Sequence, residues 1–178
     1  MSRDWTIVAR LLEMIALPPE ASEPQGASEV ELRSLELRLG RALPLSLTES
    51  LLVVNGLCAG GGIFGGDENP EYLRISYYLD LFPAWREKNW LPVAGDGCGN
   101  YYVLLPETEL GFSPVAFVDL SEGGEEISYV VASDMYRFMC FYLNNEIHCL
   151  GWPHDYDYVK SEDPDIINIG DLRLPWRD

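Results

Sequence analysis

Between Lys88 and Arg137 the chain carries no lysine or arginine. Over the whole sequence 12 basic side chains face 29 acidic ones, a formal net charge of −17. A field of that sign repels phosphate backbones, which disfavours direct nucleic-acid binding, and it speeds encounter with a basic partner. Histidine is equally scarce, with only His148 and His154, too few for an ordinary histidine-built metal site. The four cysteines, Cys58, Cys98, Cys140 and Cys149, have no CxxC spacing. Neither a disulfide framework nor a zinc finger can be drawn through them, and reduced thiols in a cytoplasmic protein are expected. No charge-free apolar run approaches ~18 residues, so a membrane-spanning helix is not expected. The N-terminal stretch lacks the uninterrupted apolar segment and cleavage site of a secretory signal.

What remains is sufficient for a packed fold. The 178 residues are 47% hydrophobic and 12% aromatic, which suits one domain over residues 1–178 with a sizeable core. Asp4 is placed to cap a first helix to about Leu17, with Trp5, Val8, Leu11, Leu12 and Ile15 at helical spacing. Pro18-Pro19 ends it, and the polar stretch 20–27 reads as a solvated linker. Ser28 with Glu31 forms a capping box for a second helix whose Leu32, Leu35 and Leu39 face the core and whose stop is Gly40. Ser46 with Glu49 reads as a second box, opening a helix that closes at Asn55-Gly56. The glycine-rich stretch from Gly56 to Gly66 reads as a loop and short strand where backbone comes close to another segment. Tyr72–Ile75 reads as a strand leading into a helix over 76–88 that Pro83 breaks.

From Trp90 onward the pattern changes. Residues 90–94, 100–105, 114–120 and 127–131 are β-rich runs punctuated by Gly, Pro and Asp, and their short connections predict an antiparallel meander. Ser133 is expected to cap a last strong helix carrying a core stripe of Met135, Phe138, Met139 and Tyr142. The acidic tail 151–178 shows no period and is expected to wrap the domain.

Recognisable catalytic apparatus is missing. Gly95-Asp96-Gly97-Cys98-Gly99-Asn100 looks like a nucleotide loop, yet it leads into a strand and no Walker lysine follows. A hairpin turn is the better reading. Cys98 serves as a nucleophile only if the fold brings His148 or His154 to it, since sequence places no base beside it. Cys140 and Cys149 read as buried small hydrophobes. Asp155 and Asp157 lack the rest of a calcium loop, and the Glu125-Glu126 pair is what 29 acids produce by chance. Trp85, Trp90, Trp152, Tyr156, Tyr158 and Trp176 sit near acids and suit either core packing or a partner. No catalytic residue, cofactor or metal is therefore expected.

The order of motifs resembles the SUKH superfamily of Smi/Knr-type proteins. The residues that carry it are the helix Glu31 to Gly40, Leu43-Pro44, the helix ending Val54-Asn55-Gly56, a tryptophan-bearing helix with Trp85, and the stretch Leu91 to Leu104. A Pro114-Val115 strand ending in Asp119 and the helix from Ser133 through Phe138 complete it, over about residues 28–145. The helix 4–17 and the tail lie outside. Asn100 stands where the family commonly has an acid, and Cys98 interrupts the glycines. The resemblance implies an α+β domain with a curved, mainly antiparallel sheet flanked by helices. Bacterial members are similar to immunity proteins that bind and neutralise toxins, many of them nucleases with basic clefts, whereas fungal members look like regulatory scaffolds. The implied activity is protein binding without catalysis, with a basic toxin domain as partner. Candidate contact residues are Trp85, Asp96, Asn100, Glu107, Glu109, Asp119, Glu122, Glu125 and Glu126.

Overall fold

Four short strands pair in the order β1 (Leu91–Gly95), β2 (Tyr101–Leu104), β3 (Val115–Val118) and β4 (Tyr129–Ala132). Every pairing is antiparallel and the sheet is open, as the short connections require. The structure is a computed structural model that describes residues 3–19 and 23–176. Its helices are α1 (Thr6–Met14), α2 (Glu29–Leu39), α3 (Leu45–Val53), α4 (Ile75–Leu81), α5 (Pro83–Glu87), α6 (Met135–His148) and α7 (Tyr156–Glu162).

Strand alternation sorts the aromatics onto two faces. Tyr102 pairs with Phe117 and Phe117 with Tyr129, and this face meets Phe138, Tyr142 and Trp152 at 5.2–5.9 Å between ring centroids. Tyr101 points the other way, onto Tyr78, Phe82 and Trp85 at 4.9–5.7 Å. The sheet is thus sandwiched between α6 with the tail on one side and α4–α5 on the other, around one continuous buried cluster.

Both sheet edges are partly covered by other segments, which blunts the templates that invite strand addition. On the β1 side the Phe64 N–H donates to the Val93 oxygen and the Gly95 N–H to the Gly62 oxygen, each at 2.9 Å. On the β4 side the Val130 N–H donates to the Arg173 oxygen at 2.8 Å. The close backbone approach expected of the glycine-rich stretch is found at Gly61, where a Cβ would collide with the backbone of Gly95 and Gly97. Tyr142 closes this contact: its Oη accepts from the Gly61 N–H and donates to the Gly95 oxygen, both at 3.0 Å.

The capping box at Ser28 and Glu31 and the left-handed Gly40 at φ 70° frame α2. Elsewhere several expected local signals lose to tertiary partners. Helix α3 starts at Leu45 behind Pro44, without a serine cap, because Glu49 instead accepts from the Trp5 indole at 3.0 Å. Helix α1 ends at Met14, short of Leu17, while the Asp4 carboxylate accepts the Thr6 N–H. Residues 20–22 of the expected linker lie outside the described residues. The rest is no free linker, since Ala27 donates to the Leu51 oxygen and Asn55 to the Gln25 oxygen, each at 2.7 Å. Glu71–Leu73 is a 3-10 turn rather than a strand, and a bridge between Gly65 and Arg74 joins the chain that follows it to the glycine segment. Pro83 does break the following helix, standing at the first position of α5.

Ser133 does not cap α6. Asp134 does, accepting the Arg137 N–H at 2.7 Å. Ser133 is fully buried and donates its N–H and hydroxyl to the Asp163 carboxylate, at 2.7 and 2.6 Å. The expected aperiodic tail contains α7 and a 3-10 turn at Pro164–Asn168, and it buries Trp152, Val159, Ile166, Ile169 and Leu174. Residues 177 and 178 of that tail lie outside the described residues.

Burial pushes the Asp163 carboxyl above the usual aspartate range, against the lowering effect of its bonds from Ser133. A carboxyl raised on folding binds more protons folded than unfolded, so its contribution falls as pH rises from the ordinary aspartate value through the raised one. Asp163→Ala orphans two buried donors and is expected to cost about 2–4 kcal/mol in urea titrations. Asp163→Asn keeps an acceptor for the Ser133 N–H and lets the hydroxyl accept from its amide. It is expected to stay within about 1 kcal/mol at pH 7 and to make stability fall less, or rise more, with pH than in the parent chain above the ordinary aspartate range.

Candidate protein-binding surface

In an antiparallel meander the first and third connections share one end of the sheet and the second lies at the other. The β1–β2 turn, residues 96–100, and the β3–β4 connection, residues 119–128, therefore stand together. They bring Asp96, Asn100, Asp119, Glu122, Glu125 and Glu126 to one side of the molecule. Glu107 and Glu109 belong to the β2–β3 connection at the opposite end, so they do not join this group. Trp85 offers no surface to a partner, because it is fully buried beneath the 119–128 loop.

Hydrogen bonds fix both loops. Asp96 Oδ1 accepts the N–H groups of Cys98 and Asn100 at 2.7 and 2.9 Å, and its Oδ2 accepts the Asn100 amide at 2.8 Å. Gly97 and Gly99, at φ 79° and 100°, supply the left-handed turns. The nucleotide-loop resemblance is thus an aspartate-centred hairpin turn. Asn100 Oδ1 in turn accepts the Leu120 N–H at 3.1 Å and ties the two loops together. Within the second loop, Asp119 accepts the Ser121 N–H at 2.7 Å, Ser128 donates to Glu122 at 3.2 Å, and Trp85 Nε1 donates to the Gly124 oxygen at 2.7 Å. The Ser121 hydroxyl and N–H hold the Asp119 carboxyl below its ordinary value.

The carboxylates act on shared neighbours. Burial raises the Tyr129 phenol, and Asp119, Asp96 and Glu122 raise it further. Burial of Tyr142 is reinforced in the same way by Glu146 and Asp96. Glu146 near the end of α6 joins the group, because its carboxylate lies against Gly60, next to the Gly61 that packs on Gly95 and Gly97. It lies beyond Arg137, outside the cation-free stretch, and only the docking of α6 across the sheet reveals it.

Cys98 is exposed at the hairpin tip, Cys140 is half-buried, and Cys149 is exposed rather than buried because it takes the left-handed cap of α6 at φ 52°. His154 packs edge-on against the Tyr129 ring at 5.7 Å, and His148 is exposed. Among the described residues no group of three or more His, Cys, Asp or Glu is placed to hold a metal ion, and no helix is long and apolar enough to cross a membrane.

The model of the SMI1/KNR4 family (SUKH-1) matches residues 26–140. The chain belongs to this family. No curated protein matches it. The SUKH-1 match runs from just before α2 into the first half of α6 and contains both acidic loops. Helix α1, α7 and the strap that covers β4 lie outside the matched SUKH-1 span, although their side chains complete the same core.

Proposed function

We propose that this SUKH-1 chain is a non-enzymatic, cytoplasmic immunity protein that binds and neutralises a toxin domain with a basic, nucleic-acid-handling cleft. The observation that carries the proposal is the gathering of Asp96, Asp119, Glu122, Glu125 and Glu126 on loops whose backbone is already pinned, with Glu146 of α6 close to the first of them. Carboxylates on a preorganised backbone take the place of phosphates in such a cleft without the cost of ordering the loops, and their sign steers the encounter.

Co-expression with a toxin domain encoded beside the gene, read as growth rescue and co-purification, tests the proposal. Rescue with a stable complex is expected. Failure to rescue from any neighbouring toxin would overturn it, and a stable complex without rescue would instead favour a regulatory scaffold.

A further inference from the structure

Next to the acidic loops lies an apolar shelf. Trp90, half-buried between α5 and β1, lines with Ile127, Lys88, Glu125 and Glu126 a shallow concavity of about 540 Å³. The face of the Trp90 ring already carries a cation: the Lys88 ammonium stands 4.8 Å from the ring centroid and bonds the Glu125 main-chain oxygen. Lys88 is exposed, and holding its long side chain in one rotamer offsets much of what so solvated a contact returns. Glu125 and Glu126 are exposed and take part in none of the ion pairs among the described residues.

An aromatic face, a flanking aliphatic side chain and two unpaired carboxylates match one kind of occupant, a segment presenting a cationic side chain next to an apolar one. Arginine suits it best, since its planar guanidinium stacks on the indole while its donors reach the carboxylates. We infer that the Trp90–Ile127 shelf is the anchor point for an arginine-bearing, partly apolar segment of the protein partner, with Lys88 holding the place of the partner's cation until it is displaced. This rests on the acidic end being a protein-binding surface, and adds to it the position that carries affinity rather than encounter rate.

The test uses the full chain labelled with 5-fluorotryptophan, its five resonances assigned by single Trp→Phe substitutions. Three capped peptides are titrated: alternating arginine and leucine, alternating arginine and serine, and alternating glutamate and leucine. The arginine–leucine peptide is expected to shift the Trp90 resonance and to bind more tightly than the arginine–serine peptide, with the acidic peptide inert. Lys88→Met removes the internal competitor and should tighten binding about two- to fivefold. Trp90→Ala should weaken it about tenfold or more, and Ile127→Ser, which leaves the ring in place, should erase the preference for leucine over serine. Binding that leaves the Trp90 resonance unmoved would overturn the anchor while leaving the acidic surface standing. Weaker binding by Lys88→Met would overturn the place-holding role, and failure of both basic peptides to bind would overturn the anchor together with the reading beneath it.

Discussion

Trp85→Ala is expected to destabilise the chain by about 4–5 kcal/mol, a large share of the total stability of a domain this size. Trp85 is fully buried, stacked on Phe82 at 4.3 Å and set edge-on to Tyr101 at 5.7 Å, so truncation opens a cavity between α5 and the sheet that neither neighbour can fill. It also deprives the Gly124 oxygen of its donor. Equilibrium urea unfolding measures the total, and a loss below ~2 kcal/mol would contradict this account of the packing. Trp85→Phe separates the two contributions. It retains most of the ring but orphans the carbonyl, for about 1–3 kcal/mol, and amide exchange should quicken in the 119–128 loop while the strands stay protected. The tryptophan that suggested a contact residue in the sequence thus serves the surface from beneath, by holding the loop that bears it.

The strands were readable because each apolar run is bounded by turn residues whose chemistry is local. The start of α2 was readable for the same reason, as Ser28 and Glu31 serve each other. Ser46 and Ser133 carry the same local signal but not the same outcome. Glu49 is taken by the Trp5 indole and Ser133 by Asp163, partners 44 and 30 residues away that no window on the sequence contains. At the candidate surface, the gap in positive charge was visible but its geometry was not. It grouped Glu107 and Glu109 with Asp119 and Glu122, although successive connections of a meander lie at opposite ends. That parity follows from the strand count alone and could have separated them. Glu146 is different in kind, because its place depends on how α6 lies across the sheet.

The acidic end makes a second large effect, this time on rate. Glu122→Lys, Glu125→Lys and Glu126→Lys together change the charge by three times +2, from −17 to −11. All three side chains are exposed, so the fold should be retained. Association with a basic partner domain identified by co-expression should slow about 10- to 100-fold at low ionic strength. The matched control carries Glu13→Lys, Glu107→Lys and Glu109→Lys, also exposed and also −11, on α1 and on the connection at the opposite end of the sheet rather than on the acidic loops. Because exposed charges are screened over about 8–10 Å near physiological salt, the control should slow association less than about threefold. Stopped-flow rates of the three proteins should converge as salt is raised toward ~1 M, where the screening length falls to about 3 Å. Equal slowing by the two triple variants would mean that only net charge matters and would remove the acidic loops as the docking face. A difference confined to low salt would locate the encounter at the loops that Asn100 and Trp85 hold in place.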